Sequence, residues 1–140
     1  MTQFIPEEIQ ADIETELNTE IVKIEPSPGK GVCQARVIID KNQKKYFLKW
    51  ADNVPKDLFV KEGNGLLELG KVDVIKVPEV IIAQEAKVKN QGFLLLEFME
   101  LREKSEEFER SFALALSSIH RRRSGKYGYR EANYLSLIHI

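Results

Sequence analysis

The 140-residue chain has a single cysteine, Cys33, which leaves no internal disulfide and no cysteine cluster for a metal, and a reducing compartment suits it. It has no apolar run near the roughly 18 residues that cross a bilayer as a helix. It has no excess of charge of either sign: a formal net charge of -1 removes any global electrostatic case for nucleic acid or a membrane surface. Residues Met1 to Glu8 lack the basic start and apolar stretch of a signal peptide. The expectation is a cytoplasmic protein with neither nucleic acid nor membrane among its partners. What is present is ordinary for a chain that buries a core, with 43% hydrophobic and 31% charged residues, enough for one domain or a piece of one.

The order of elements is more informative. Pro6-Glu7-Glu8 opens a helix, with proline in the first turn and acids at the positive end of the dipole. Ile9, Ile13 and Leu17 carry its apolar stripe over about residues 6–18, and Asn18 is a plausible terminator. Glu20–Glu25 reads as a first strand, broken by Pro26-Ser27-Pro28-Gly29-Lys30-Gly31-Val32, and Gln34–Asp40 as a second. After the turn Lys41–Lys44, the strand Lys45-Tyr46-Phe47-Leu48-Lys49-Trp50 alternates, with Tyr46, Leu48 and Trp50 on one face and Lys45, Phe47 and Lys49 on the other. A helix over about Asp57–Leu69 follows, weakened by Gly63 and Gly65, so that packing or a close backbone approach must hold it. Val80–Gln84 is a fourth strand, Lys89–Gly92 a hairpin turn, and Phe93–Met99 a fifth strand apolar enough to be buried on both faces. Five strands with one inserted helix make a small antiparallel α+β sheet. Beyond Met99 a charged connector leads to a helix with the stripe Phe108, Phe112, Leu116 and Ile119. His120 there reads as a capping or packed histidine, and Arg121-Arg122-Arg123 as a solvated helix end favoured by the dipole.

Lys49 is the oddity in this order, because an ammonium within an apolar strand is costly without a partner. The next helix offers one: Phe59, Glu62, Leu66 and Leu69 fall on one inward stripe that contains a carboxylate. Such a lysine and glutamate are the pair with which a kinase lobe holds nucleotide phosphates. The plain alternative is that Lys49 snorkels to the sheet edge and Glu62 stands in solvent. The glycine turn one hairpin earlier allows backbone N–H groups to approach phosphates, a weak signal alone that gains from its position before Lys49.

In order along residues 6–134, Gly31–Ala35, Tyr46–Lys49, Phe59–Leu66, Val77–Val80, Leu94–Phe98, Leu116–Arg121, Gly125–Tyr129 and Asn133-Tyr134 resemble the fructosamine kinase (ketosamine-3-kinase) family. That family is related to the aminoglycoside phosphotransferases and has a protein-kinase-like fold. The resemblance implies an ATP-binding N-terminal lobe over 1–99 and the first helix of a C-terminal lobe within 100–134. It implies that Gly29 and Gly31 shape the phosphate loop, that Lys49 contacts ATP phosphates held in place by Glu62, and that Glu97, Phe98 and Met99 form the hinge that receives adenine. Tyr129 and Asn133 fall in the segment near the sugar-amine substrate, a ketosamine or a glycated protein. Lys30, between the two glycines, departs from the family's adjacent-glycine loop and puts its geometry in doubt; Cys33 beside the loop reads as a small buried side chain.

The family's catalytic aspartate, in a His-Gly-Asp segment, and its Mg²⁺ ligands have no counterpart between Met99 and Ile140. The expectation is therefore a chain with no catalytic or metal-binding residue of its own, able to bind nucleotide but not to transfer phosphate. Leu135-Ser136-Leu137-Ile138-His139-Ile140 matches one translation of a sequencing transposon-end adapter, so the natural frame is expected to diverge near Leu135. Two alternatives stand beside this reading: an aminoglycoside- or choline-type phosphotransferase, and a non-catalytic module that binds nucleotide or protein. Oligomeric state is not legible.

Overall fold

A computed structural model of the chain describes residues 4–27, 33–86, 91–123 and 125. Helix α1 (Glu7–Leu17) starts after Pro6 and ends at Asn18, whose left-handed backbone (φ 48°, ψ 48°) lets its N–H return to the last turn. Strands β1 (Ile21–Pro26), β2 (Gln34–Asp40) and β3 (Lys45–Ala51) follow, then α2 (Leu58–Gly70), β4 (Val80–Gln84), β5 (Gly92–Glu97) and α3 (Phe108–His120). The five strands form one antiparallel sheet in the order β1-β2-β3-β5-β4.

The sheet is filled from both sides, which is why β5 is apolar throughout. Phe93 and Leu95 join Tyr46, Leu48, Trp50 and Ile38 in a core closed by Ile5, Ile9 and Ile13 of the α1 segment. Leu94 and Leu96 turn the other way, into a core with Ala51 and Phe59 to which Phe47, Leu66, Val80 and Ala83 add. Two polar ties fix α1 beneath the sheet: Gln84 donates to Asp12 at 2.7 Å, and the Ile21 N–H donates to Glu14 at 3.0 Å. That N–H is the main reason the Glu14 carboxyl sits below its ordinary pKa, with Gln10 adding to it.

Several expectations change. Pro26 does not break β1 but ends it, opposite Arg36; β1 is an edge strand, where a missing donor costs no ladder bond. The fifth strand stops at Glu97 instead of Met99. Leu69 leaves the inward stripe of α2 and is 47% exposed. The stripe runs through Phe59 and Gly63 instead. A Cβ placed on Gly63 would stand 3.0 Å from the Ala83 Cβ, so the missing side chain is what lets α2 lie against β4. Helix α3 buries none of its residues: Phe112 is 47% exposed, and its ring stacks on Phe108 with centroids 5.8 Å apart. His120 is exposed at its end. No described helix is long and apolar enough to cross a membrane.

Candidate functional site

The site is built on the face of the sheet that carries α2. Helix α2 makes its main contacts with β4 and β5, so it stands over one half of that face. At the margin of the covered half, the Lys49 Nζ donates to Glu62 Oε1 at 2.7 Å, and each side chain remains 30% exposed. Strand alternation aims Lys49 at the helix, and the helical period places Glu62 one turn after Phe59, which is buried and anchors α2. The alternative in which the two groups point apart is therefore not what the chain adopts. A carboxylate-held ammonium at a half-open position is oriented without being sealed off, the condition for meeting an anionic ligand.

Around Lys49 the ladder gives a regular surface. Lys49 lies between Ala35 of β2 and Leu94 of β5; Phe47 lies between Val37 and Leu96. Val37 is buried and Phe47 half-buried. At the outer end of the same face, the Lys45 ammonium sits 5.5 Å from the centroid of the Phe98 ring. The face thus runs from an ion pair, across an apolar floor, to the end of β5.

Glu97 closes that end by strapping the segment before β4 to it. Its backbone N–H donates to the Glu79 carbonyl at 2.9 Å, its Oε2 accepts the Glu79 N–H at 3.2 Å, and its Oε1 meets Lys76 Nζ at 3.4 Å. The Glu79 N–H, then Lys76, hold the Glu97 carboxyl below the ordinary carboxylate range. Phe98 and Met99 lie just past the strand's end. Cys33, a free thiol, is half-buried against the α2-side core.

Of the residues singled out in the sequence, Lys49 and Glu62 are brought into contact. Glu97, Phe98 and Met99 lie at the far end of the same pair of strands, since Glu97 faces Tyr46, three residues before Lys49. Gly29, Gly31, Tyr129 and Asn133 lie outside the described residues, as do Lys89, Asn90 and residues 135–140. The sequence reading put Lys45 and Phe47 on the Lys49 face but assigned them no role; the alternation was the available signal. The Glu97–Glu79–Lys76 clamp had no local signal, because it joins residues 18 apart. Among the described residues no group of three acidic, histidine or cysteine side chains is arranged to hold a metal. A groove of about 720 Å³ between the end of α2 and residues 77–80 is lined by Leu66, Leu67, Val77 and Pro78, and neither Lys49 nor Glu62 borders it. The charge arrangement, not the cavity, locates the candidate site.

Known proteins resemble this chain along nearly its whole length. The model of the family described as fructosamine kinase matches residues 1–139. An Enterococcus faecium protein described as a probable ketoamine kinase is 33% identical over 116 residues, 83% of this chain and 39% of that protein. An uncharacterised Staphylococcus aureus protein from the 3′ region of ileS is 34% identical over 101 residues, 72% of this chain and 74% of its own length. A crystal structure from Haemophilus somnus 129PT, provisionally described as a fructosamine-3-kinase, superposes with a TM-score of 0.76 over 93% of this chain and 44% of its own. At 21% identity that likeness speaks for the fold alone. The chain spans less than half the length of the ketoamine kinase and of the crystallised protein.

Proposed function

This chain belongs to the fructosamine kinase family, and from that premise we propose that it forms the nucleotide-binding lobe of an enzyme that phosphorylates the sugar of ketosamines. The observation that carries the reading is the Lys49–Glu62 ion pair at 2.7 Å, joining β3 to α2 on the half-open face of the sheet. Lys49 binds the triphosphate as a point charge, Glu62 fixes the direction of the ammonium, and the end of β5 at Glu97–Met99 receives the adenine edge. Gly29 and Gly31 shape the loop over the phosphates.

In the full reaction a sugar hydroxyl oxygen bonds to the γ-phosphorus of ATP, the bond to the bridging oxygen breaks, and ADP leaves. The hydroxyl proton passes to a carboxylate. We assign that aspartate and the ligands of Mg²⁺, which neutralises phosphate charge, to the part of the relatives' length that this chain does not span. Residues 1–99 are then the ATP-binding lobe and 100–134 the start of the second lobe, with Tyr129 and Asn133 near the ketosamine, free or on a glycated protein. In the cell the reaction would serve deglycation.

The nucleotide reading is tested by titrating the 140-residue chain with MgATP, wild type against Lys49→Ala. Saturable binding that the substitution abolishes is expected. Unchanged affinity in Lys49→Ala would remove the assignment and leave a non-catalytic module with another partner. The activity is assayed as ATP-dependent phosphate incorporation into a fructosamine by a protein of the ketoamine kinase's length.

A further inference from the structure

We infer that two copies of this chain associate edge to edge through β1, in an antiparallel register that sets Ile24 against the partner's Ile24. The inference goes beyond the nucleotide reading and stands on the sheet alone. Strand β1 ends the strand order, so its outer side has no neighbouring strand among the described residues. Which backbone groups it leaves open follows from the alternation of an antiparallel ladder. The Asp40 N–H donates to the Lys44 carbonyl at 3.0 Å, on the β3 side, and the Lys41 N–H donates to the Glu20 carbonyl at 2.9 Å, on the β1 side. Ile39 and Val37 therefore turn their backbone groups toward β1, opposite Lys23 and Glu25. Ile21, Ile24 and Pro26, opposite Asp40, Ile38 and Arg36, turn theirs outward. Glu14 already accepts the Ile21 N–H at 3.0 Å, and Pro26 has no N–H, which leaves Ile24 with an open donor and acceptor.

Two copies related by a twofold axis pair only where outward residues face each other. A register centred on Glu25 would set like charge on like charge and Ile24 on a proline with no N–H to give. Centred on Ile24, the run Val22-Lys23-Ile24-Glu25-Pro26 meets its own reverse. Val22 then lies opposite the partner's Pro26, Lys23 opposite the partner's Glu25, and the two Ile24 residues exchange a pair of hydrogen bonds across the axis. Lys23 and Glu25 are joined within the strand at 2.7 Å, with side chains 63% and 34% exposed, so they can exchange that ion pair for two between strands. A groove of about 670 Å³ along the edge, lined by Phe4, Ile21, Val22, Ile24 and Pro26, adds apolar surface. Phe4 is 74% and Val22 53% exposed. A lysine, a proline and a bulge on an edge ordinarily discourage pairing with a foreign strand. Here the register shift between Ile21 and Lys23 confines the contact to residues 22–26, and Glu25 supplies the charge that Lys23 demands. The product is a weak, concentration-dependent dimer held by a short, self-complementary edge.

The test is sedimentation velocity of the 140-residue chain over rising concentration, with Phe112→Glu as the background so that the exposed stripe of α3 does not contribute. A monomer–dimer equilibrium is expected. Lys23→Glu and Glu25→Lys should each weaken it at least about tenfold, because each sets like charges opposite one another. The double exchange Lys23→Glu/Glu25→Lys rebuilds the complementary pairing and should recover the dimer, as should an equimolar mixture of the two single variants. Circular dichroism and Trp50 fluorescence confirm that every variant keeps the fold. A monomer at every concentration overturns the inference. So does a dimer that is indifferent to the single exchanges, or one that the double exchange and the mixture fail to restore.

Discussion

Lys49 and Glu62 are held where their attraction does little for the fold. Each is 30% exposed, and ion pairs with that access to water contribute about 0–1 kcal/mol. Lys49→Met should therefore shift unfolding free energy by less than about 1 kcal/mol while eliminating ATP binding. Denaturant unfolding followed through Trp50, the single tryptophan, reads the first. A loss of several kcal/mol would instead make the pair structural. Tyr46 represents the opposite case, a polar group whose surroundings matter to stability. It is 5% exposed, and its hydroxyl lies 3.4 Å from the buried Asp40. Burial first, then the Asp40 charge, raise its pKa above the ordinary 10.0. The folded state thus keeps the proton that the unfolded chain releases. The contribution is complete below pH 10.0 and is lost as pH rises from there through the folded-state pKa. Phe at position 46 removes that titration, so the wild type should lose stability above pH 10.0 more steeply than Tyr46→Phe in parallel unfolding curves.

Among the elements, α2 shows most clearly what patterning carries and what it misses. Two of its three glycines, Gly63 and Gly70, behave oppositely. A Cβ on Gly70 meets nothing within 4 Å, whereas one on Gly63 already touches Ala83, Val80 and Leu94. Gly70→Ala should stabilise by up to about 1 kcal/mol through helix propensity. Gly63→Val should cost roughly 1–3 kcal/mol by forcing α2 off β4, and should also weaken ATP binding, since Glu62 moves with the helix. Equal melting temperatures for the two variants would contradict the close approach. Gly63 carries no side chain and so no apolar signal, which is why the stripe was extended to Leu69 instead, although the glycine itself signalled the close backbone approach that α2 makes to β4. Strand β3 was legible because both of its faces bury something, Tyr46, Leu48 and Trp50 toward α1 and Phe47 toward α2. Lys49 and Glu62 were legible because charge stands out within apolar stripes. The Glu97 strap was not, because it exists only once β4 has been laid against β5, and a continuous apolar run gives no sign of where its ladder ends.

For the molecule as a whole, α3 is the unbalanced part. On its apolar stripe Phe108 is 39%, Phe112 47% and Leu116 36% exposed, and just past its end Arg122 donates to the Val72 carbonyl at 3.2 Å. A stripe of that kind on a helix is ordinarily turned toward a core. The chain spans 39% of the ketoamine kinase and 44% of the crystallised protein it resembles. On the proposal that 100–134 begins a second lobe, the remainder of that length supplies the cover for α3. The two settings then respond oppositely to one substitution. In the 140-residue chain, Phe112→Glu should leave the melting temperature almost unchanged while reducing binding of a hydrophobic dye and self-association, because the ring it removes faces water. In a chain extended to the relatives' length, the same carboxylate would be buried without a partner and should cost at least about 2 kcal/mol. Equal tolerance in both would mean that α3 faces solvent in the longer protein too, and the division of the chain near residue 100 would have to be redrawn.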